Sequence, residues 1–289
     1  MVHIPVLLKE TIEALDPKPN ENFIDGTFGC GGHSLAILKK IVPQGKVLGI
    51  EWDRQMLAQI PKEIFQNPRV IIVNDSYANI AAIARKHGFV DINGILFDLG
   101  MSWWHIDQSR KGFSFSKDEP LDMRYAAVGV TAKEIVNEYP VKELTRIFND
   151  YGQEKYAQKI ARAIEKTRHQ KPILTTAALT RVIEKETPPP NRIKTIARIF
   201  QALRIKVNSE FENIKKGIND GFRILAPGGR MAAISFHSLE DGIVKQEFNE
   251  LIKQEKAKPM FRKPIVPSPQ EIKNNPKSRS AKLRVMVKI

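Results

Sequence analysis

Four acidic residues stand where apolar runs of the sequence stop. Asp25 follows Asn22-Phe23-Ile24, Glu51 follows Val47-Leu48-Gly49-Ile50, Asp75 comes just after Val70-Ile71-Ile72-Val73, and Asp98 ends Gly94-Ile95-Leu96-Phe97. A carboxylate accepts hydrogen bonds from hydroxyl and amino groups and attracts cations, so a row of them suits a cationic nucleoside. Between Asp25 and a helical stretch from Ser34 runs Gly26-Thr27-Phe28-Gly29-Cys30-Gly31-Gly32-His33, where glycine permits positive φ and lets backbone amides approach a ligand. Two ligands compete for this loop, a dinucleotide and S-adenosylmethionine. A dinucleotide fingerprint wants glycine at the sixth position of Gly-x-Gly-x-x-Gly and a pyrophosphate at the helix start. Counted from Gly29, that position is Ser34. Asp25 at the head of the loop suits a cationic amino group instead. Glu51 is placed for ribose hydroxyls in either class, Asp75 for the adenine amino group, and Tyr77 offers an aromatic face to the base. Taken singly, Asp25 and Asp75 also read as caps or turn residues and Tyr77 as core.

The elements that hold these residues alternate. Short apolar runs separated by helix-compatible stretches predict a parallel, doubly wound α/β sheet. From about residue 105 the pattern changes, and residues 131–207 contain only helical periodicity, broken by Pro188-Pro189-Pro190. Strand and helix then resume with a long helix from Ser209, the turn Ala226-Pro227-Gly228-Gly229 and the apolar run from Arg230 to Ile234. The predicted architecture is a sheet domain made of residues 1–104 and 207–289, interrupted by an all-helical insertion over 105–206. The end of the chain, Ala281-Lys282-Leu283-Arg284-Val285-Met286-Val287-Lys288, alternates apolar and basic residues as a half-buried strand does.

Composition narrows the class of function. The 289 residues include 46 Lys or Arg against 32 Asp or Glu, a net charge of +14, which points to a polyanionic partner. From Lys245 onward there are 12 Lys or Arg and 4 Glu, so a net +8 lies in the last 45 residues. One cysteine, Cys30, excludes a disulfide framework and a thiolate metal site, and no metal is assigned. No apolar run reaches the roughly 18 residues of a membrane span, and Met1-Val2-His3-Ile4-Pro5 lacks the pattern of a secretion signal. A cytoplasmic protein without a membrane partner is expected.

Further motifs occur in a fixed order: Asp98-Leu99-Gly100-Met101-Ser102, Lys111-Gly112-Phe113-Ser114-Phe115, Pro120-Leu121-Asp122-Met123-Arg124, Phe200-Gln201-Ala202-Leu203-Arg204, Ser235-Phe236-His237-Ser238-Leu239-Glu240-Asp241 and Lys277-Ser278-Arg279-Ser280. Together they closely resemble the RsmH, or MraW, family of bacterial 16S ribosomal RNA cytosine-N4 methyltransferases, from His3 to the C-terminal strand. The resemblance implies a class I (Rossmann-like) methyltransferase fold, S-adenosylmethionine as methyl donor, and a cytosine of the decoding region of the small ribosomal subunit as acceptor. Its cofactor contacts carry over to Gly31, Gly32, His33, Glu51, Tyr77, Asp98 and His105, beside Asp25, Gly29 and Asp75 from the reading above. The family generally has Asp at Glu51, Phe at Tyr77, Ser-Pro-Gln at Trp103-Trp104-His105 and Arg at Gly242.

Cytosine N4 is a poor nucleophile because its lone pair is delocalised into the ring, so it must be held in line with the methyl group. Acceptors on its amino protons favour the pyramidal, more nucleophilic form, and Asp98 with the turn carbonyls up to Ser102 would supply them. His105 or water would take the released proton. His237 is placed near the acceptor base or its phosphate, or else is packed behind a helix capped by Ser238. Trp103 and Trp104 would stack on a flipped base or seal a domain seam. Arg110, Lys111, Arg124, Arg198, Arg204 and the basic C-terminal segment are predicted to touch RNA phosphates. Carbon-5 methylation needs an attacking thiolate, and the lone thiol sits in the cofactor loop. A catalytically silent RNA-binding assembly factor and a nicotinamide oxidoreductase are the rival functions, separated from the first by calorimetry with S-adenosylmethionine or NAD.

Overall fold

The computed structural model describes residues 4–289; His3, where the family resemblance starts, lies outside them. Helix α1 (Leu8–Leu15) precedes β1 (Asn22–Asp25), α2 (Gly32–Lys40), β2 (Val47–Glu51), the short α3 (Arg54–Leu57) and α4 (Lys62–Phe65), β3 (Val70–Asn74), α5 (Ile80–Lys86) and β4 (Ile92–Asp98). Helices then follow one another: α6 (Trp103–Asp107), α7 (Ala132–Glu138), α8 (Val141–Asp150), α9 (Ala157–Gln170), α10 (Thr176–Glu186) and α11 (Arg192–Asn208). The chain ends with α12 (Glu210–Ile224), β5 (Leu225–Ser235), α13 (Ser238–Lys253), β6 (Ala257–Pro259), α14 (Pro269–Asn274) and β7 (Lys282–Lys288). Two compact units result, Met1–Gly100 with Phe211–Ile289, and Met101–Glu210. Each boundary falls four residues from the position read in the sequence. Among the described residues no helix is long and apolar enough to cross a membrane.

The first unit is a seven-stranded sheet in the order β3-β2-β1-β4-β5-β7-β6. β1 to β5 pair in parallel, and β7 runs antiparallel to both β5 and β6. This is the Rossmann-like order of class I methyltransferases with its reversed last strand. Both faces are covered, which is why the strands read as continuous apolar runs. Ile95, Phe97, Met231, Ala233 and Met286 enter one core, and Leu96, Ala232, Ile234, Leu283 and Val285 the other, as the period of two requires. The order reverses about β1, whose neighbours β2 and β4 lead off in opposite directions, and ligands of such sheets collect at the carboxyl ends of strands there.

Two sequence expectations needed correction here. The turn Ala226-Pro227-Gly228-Gly229 is absorbed into β5 as an irregularity, the register jumping from Ile92↔Leu225 to Gly94↔Arg230. The prolines of the basic segment before β7 (Pro259, Pro264, Pro267, Pro269 and Pro276) predict mostly loop, but it also holds β6, α14 and a 3-10 turn at Pro276–Ser280. In the second unit α8, α9, α10 and α11 pack around Leu144, Ile147, Phe148, Ile160, Ile164, Leu179, Ile183, Ile199 and Leu203, each fully buried. A capping box at Thr131 and Glu134 starts α7.

Candidate active site

β1 delivers Asp25 into the interior, where Oδ2 accepts from Ser34 Oγ at 2.7 Å and Oδ1 from the Thr27 amide at 3.2 Å. β2 delivers Glu51, whose Oε2 accepts from the Gly29 amide at 2.9 Å and Oε1 from the Asp53 amide at 2.8 Å. The amides of Phe28 and Gly31 go to Ile50 O and Phe28 O. With the Gly26 amide on Leu96 O, five loop amides are therefore already used inside the protein, two of them by carboxylates. A pyrophosphate held on this loop would lie beside the Asp25 and Glu51 carboxyls, which disfavours the dinucleotide reading. Gly31 sits at φ 78° as the residue before α2, and a Cβ there would lie 2.9 Å from the Phe28 ring, so glycine is required.

β4 ends in Asp98, whose amide donates to Thr27 Oγ1 at 2.6 Å. Its Oδ1 is sealed from solvent without a hydrogen-bond partner. Its Oδ2 lies 3.8 Å from His33 Nδ1, too far for a hydrogen bond but close enough for charge to be felt. His33 Nε2 is 3.0 Å from the Val6 carbonyl, which can only accept, so Nε2 carries a proton. Burial pushes the three acids up: Asp25 to about 6, Glu51 to about 7, and Asp98 to about 8, with repulsion from Asp25 and Glu240 adding to the rise at Asp98. Three buried carboxyls at one sheet edge, each with a raised affinity for protons, form a site that a bound cation would favour in its ionised form.

Beyond β5, His237 itself is the N-cap of α13, where Ser238 was expected. Its Nδ1 accepts from the Glu240 amide at 3.3 Å, and its Nε2 lies 3.0 Å from Glu240 Oε1. Glu240 Oε2 accepts from the amides of Phe236 and His237 at 2.9 and 3.3 Å. Glu240 has no role of its own in the sequence reading, where it stands only within the Ser235–Asp241 motif. The signal was present, since an acid three positions after a cap is a capping box, but nothing in the spacing showed that it would be buried and felt by Asp98.

Other expected contacts have structural employment. Asp75 Oδ1 accepts from the Ser76 amide and Asn79 Nδ2 at 2.7 and 2.9 Å, a turn residue. Tyr77 packs on Phe97 with centroids 5.5 Å apart, and against Gly217, where a Cβ would meet its ring at 2.7 Å. Ser102 and His105 belong to the second unit and cap α6 together: Ser102 Oγ lies 2.8 Å and its amide 3.1 Å from His105 Nδ1. The buried His105 ring meets Trp104, Phe113 and Tyr125 edge-on, with centroids 4.9–5.6 Å away. With Nδ1 engaged by Ser102 and the ring packed among aromatics, His105 caps α6 and holds this loop in shape. Trp103 and Trp104 are the half-buried first residues of α6.

The chain matches the MraW methylase family over residues 1–289. It is 42% identical to the ribosomal RNA small subunit methyltransferase H of Acetivibrio thermocellus, with 99% of each chain covered. It is 40% identical to the protein of that name from Syntrophotalea carbinolica, covering 98% of this chain and 97% of the other, and 41% to that of Halothermothrix orenii, covering 99% and 98%. The chain belongs to the MraW methylase family.

The arginines of this methylase divide into sealed and open ones. Arg204 is buried and bound bidentately to Glu210 at 2.8 and 2.9 Å, and Arg124 is chelated by Asp122 at 2.8 and 3.0 Å with Nη1 on the carbonyls of Ala127 and Gly129. Neither is available for a phosphate, against expectation. Lys111 Nζ donates to the Tyr125 carbonyl at 3.3 Å. Arg198, 3.6 Å from Glu154, and Arg110 remain exposed. Burial, with Glu51 nearby, pushes the Cys30 thiol up, which makes it a poorer nucleophile still.

Proposed function

We infer that the protein transfers a methyl group from S-adenosylmethionine to the N4 amino group of a cytosine in small-subunit ribosomal RNA, in the cytoplasm. The observation that carries this reading is the row of buried acids, Asp25, Glu51 and Asp98, around a loop with five of its amides already used and an unpartnered carboxylate oxygen at Asp98. Such a site fits a ligand with a sulfonium and an ammonium charge and repels phosphates. The relatives' shared name supplies the substrate class.

S-adenosylmethionine supplies a methyl group on a cationic sulfur, an electrophile that needs only a well-aimed nucleophile. Glu51 accepts from ribose hydroxyls, and the loop at Gly29, Gly31 and Gly32 lets the backbone approach. Beside a bound cation Asp98 would ionise, and the exposed part of its carboxylate would accept from the cytosine amino group, drawing electron density onto N4. As N4 gains its methyl and becomes cationic, Asp98 takes the surplus proton; its raised affinity for protons suits that task. His33 stands next in line, and a shift of under about 1 Å brings its Nδ1 within hydrogen-bond reach of Oδ2. Glu240 and His237 hold the start of α13 beside this edge. The second unit, with 20 Lys or Arg against 13 Asp or Glu, takes part in RNA recognition through open cations such as Arg110 and Arg198.

The deciding experiment gives the purified protein labelled cofactor and small ribosomal subunits from cells lacking their own enzyme, then maps the modified nucleotide by mass spectrometry. A methyl on cytosine N4 is expected. One on a ring carbon or a ribose oxygen overturns the assignment.

A further inference from the structure

We propose that a cleft at the β6 edge of the sheet is a separate docking channel for single-stranded RNA, an inference that rests on the ribosomal RNA reading above. The cleft, about 280 Å³, lies between α13 and strands β6 and β7, with Lys245, Phe261, Arg262, Lys263 and Arg284 around it and Phe248 and Ile252 as apolar lining. Strand order sets it apart from the cofactor loop: β7 is three strands from β1, about 14 Å at the ~4.8 Å spacing of neighbours.

Three observations select the occupant. Arg284 is committed to Asp241 at 2.6 Å, but Lys245, Arg262 and Lys263 are exposed, and among the described residues none of the three has a hydrogen bond or ion pair. Phe261 is 44% exposed beside two of these cations. The backbone keeps the ring there. Met260 N donates to Val285 O at 3.0 Å, and Ile265 and Leu283 exchange two bonds of 2.9 Å, so the chain between is tied to β7 at both ends. Residues 261–263 form a short arch held open, with an aromatic ring among unpaired cations. A base stacks on such a ring while its flanking phosphates meet the cations, which is how sequence-tolerant single-strand binders work. The net +8 of the last 45 residues adds long-range attraction for a polyanion.

The test uses two variants of the full chain, the triple substitution Lys245→Gln, Arg262→Gln, Lys263→Gln, and Phe261→Ala. Binding is measured to a short single-stranded RNA and to a duplex of equal length over a range of salt, with cofactor affinity and melting temperature as controls. The triple variant should lower the slope of log affinity against log salt by about 2, at ~0.7 per lost phosphate contact. Phe261→Ala should weaken single-strand binding about fivefold or more with the slope and duplex binding unchanged, and neither variant should alter the controls. Unchanged single-strand binding in both variants, from a wild type that methylates small subunits, overturns the channel, leaves the methyltransferase reading intact and points to an acidic protein as occupant. An equal loss on duplex in Phe261→Ala overturns the stacking role. Variants that behave as expected while the wild type methylates no RNA would support the channel and sink the activity instead.

Discussion

Replacing Asp98 by Asn changes one charge and almost no volume, so it separates chemistry from packing. Methyl transfer should fall on the order of 100-fold, because an amide accepts a hydrogen bond but does not take up the proton. Stability should move the other way. The carboxyl has an ordinary value of 3.8 and sits near 8 in the folded chain. Below pH 3.8 both folded and unfolded forms carry the proton. As pH rises from there the unfolded chain ionises first, so the native state loses stability up to about pH 8. Asp98→Asn removes that loss, and thermal melts should show a larger gain at pH 8 than at pH 5; a gain independent of pH would argue against a buried, raised carboxyl. The same logic governs the cofactor. A cation bound among Asp25, Glu51 and Asp98 ionises them, so binding near neutral pH should release protons and tighten from pH 6 to 8. Calorimetry in buffers of differing ionisation heat reads this directly, and flat affinity over that window would contradict the acid row.

Helix α13 carries two predictions at the level of one element. Gly242 lies on its exposed face, where an added Cβ meets nothing within 4 Å. Gly242→Ala should therefore stabilise the protein by about 0.5–1 kcal/mol, seen as a later denaturation midpoint at unchanged m-value. His237→Ala removes the N-cap side chain and the imidazole beside Oε1 of buried Glu240, which keeps its two backbone amides, and should cost more than the ~1 kcal/mol of an ordinary cap. The elements were legible where one physical rule governs them. Apolar runs ending in acids are what parallel strands look like when both faces are covered and the ligand edge is polar, so Asp25, Glu51 and Asp98 could be named from spacing. Partners are not written in spacing. Arg204 and Arg124 looked like phosphate contacts, but Glu210 and Asp122 hold them. That His105 caps α6 is likewise visible only in the folded chain, where Ser102 occupies its Nδ1. The Pro-Gly-Gly run read as a turn lies inside β5, since the sheet tolerates the irregularity on one strand.

For the whole molecule, charge is distributed by task. The second unit carries a net +7 and the last 45 residues +8, which leaves the remainder of the sheet unit slightly acidic. RNA affinity should thus depend steeply on salt while cofactor affinity does not, a contrast that titration of the two ligands on one preparation checks; a salt-insensitive RNA complex would show that the basic regions are idle. The sheet also has a history written into its connectivity. β4 pairs with β5, yet Asp98 and Leu225 stand 127 residues apart. On a translating ribosome, at about 5–20 residues per second, the half-built sheet waits roughly 6 to 25 s for its central partner. The intervening helical unit, one continuous stretch of chain, is made in full during that pause. Nascent chains arrested before residue 225 would then hold a folded middle and an open strand edge, exposed to chaperones and unable to grip a sulfonium ligand.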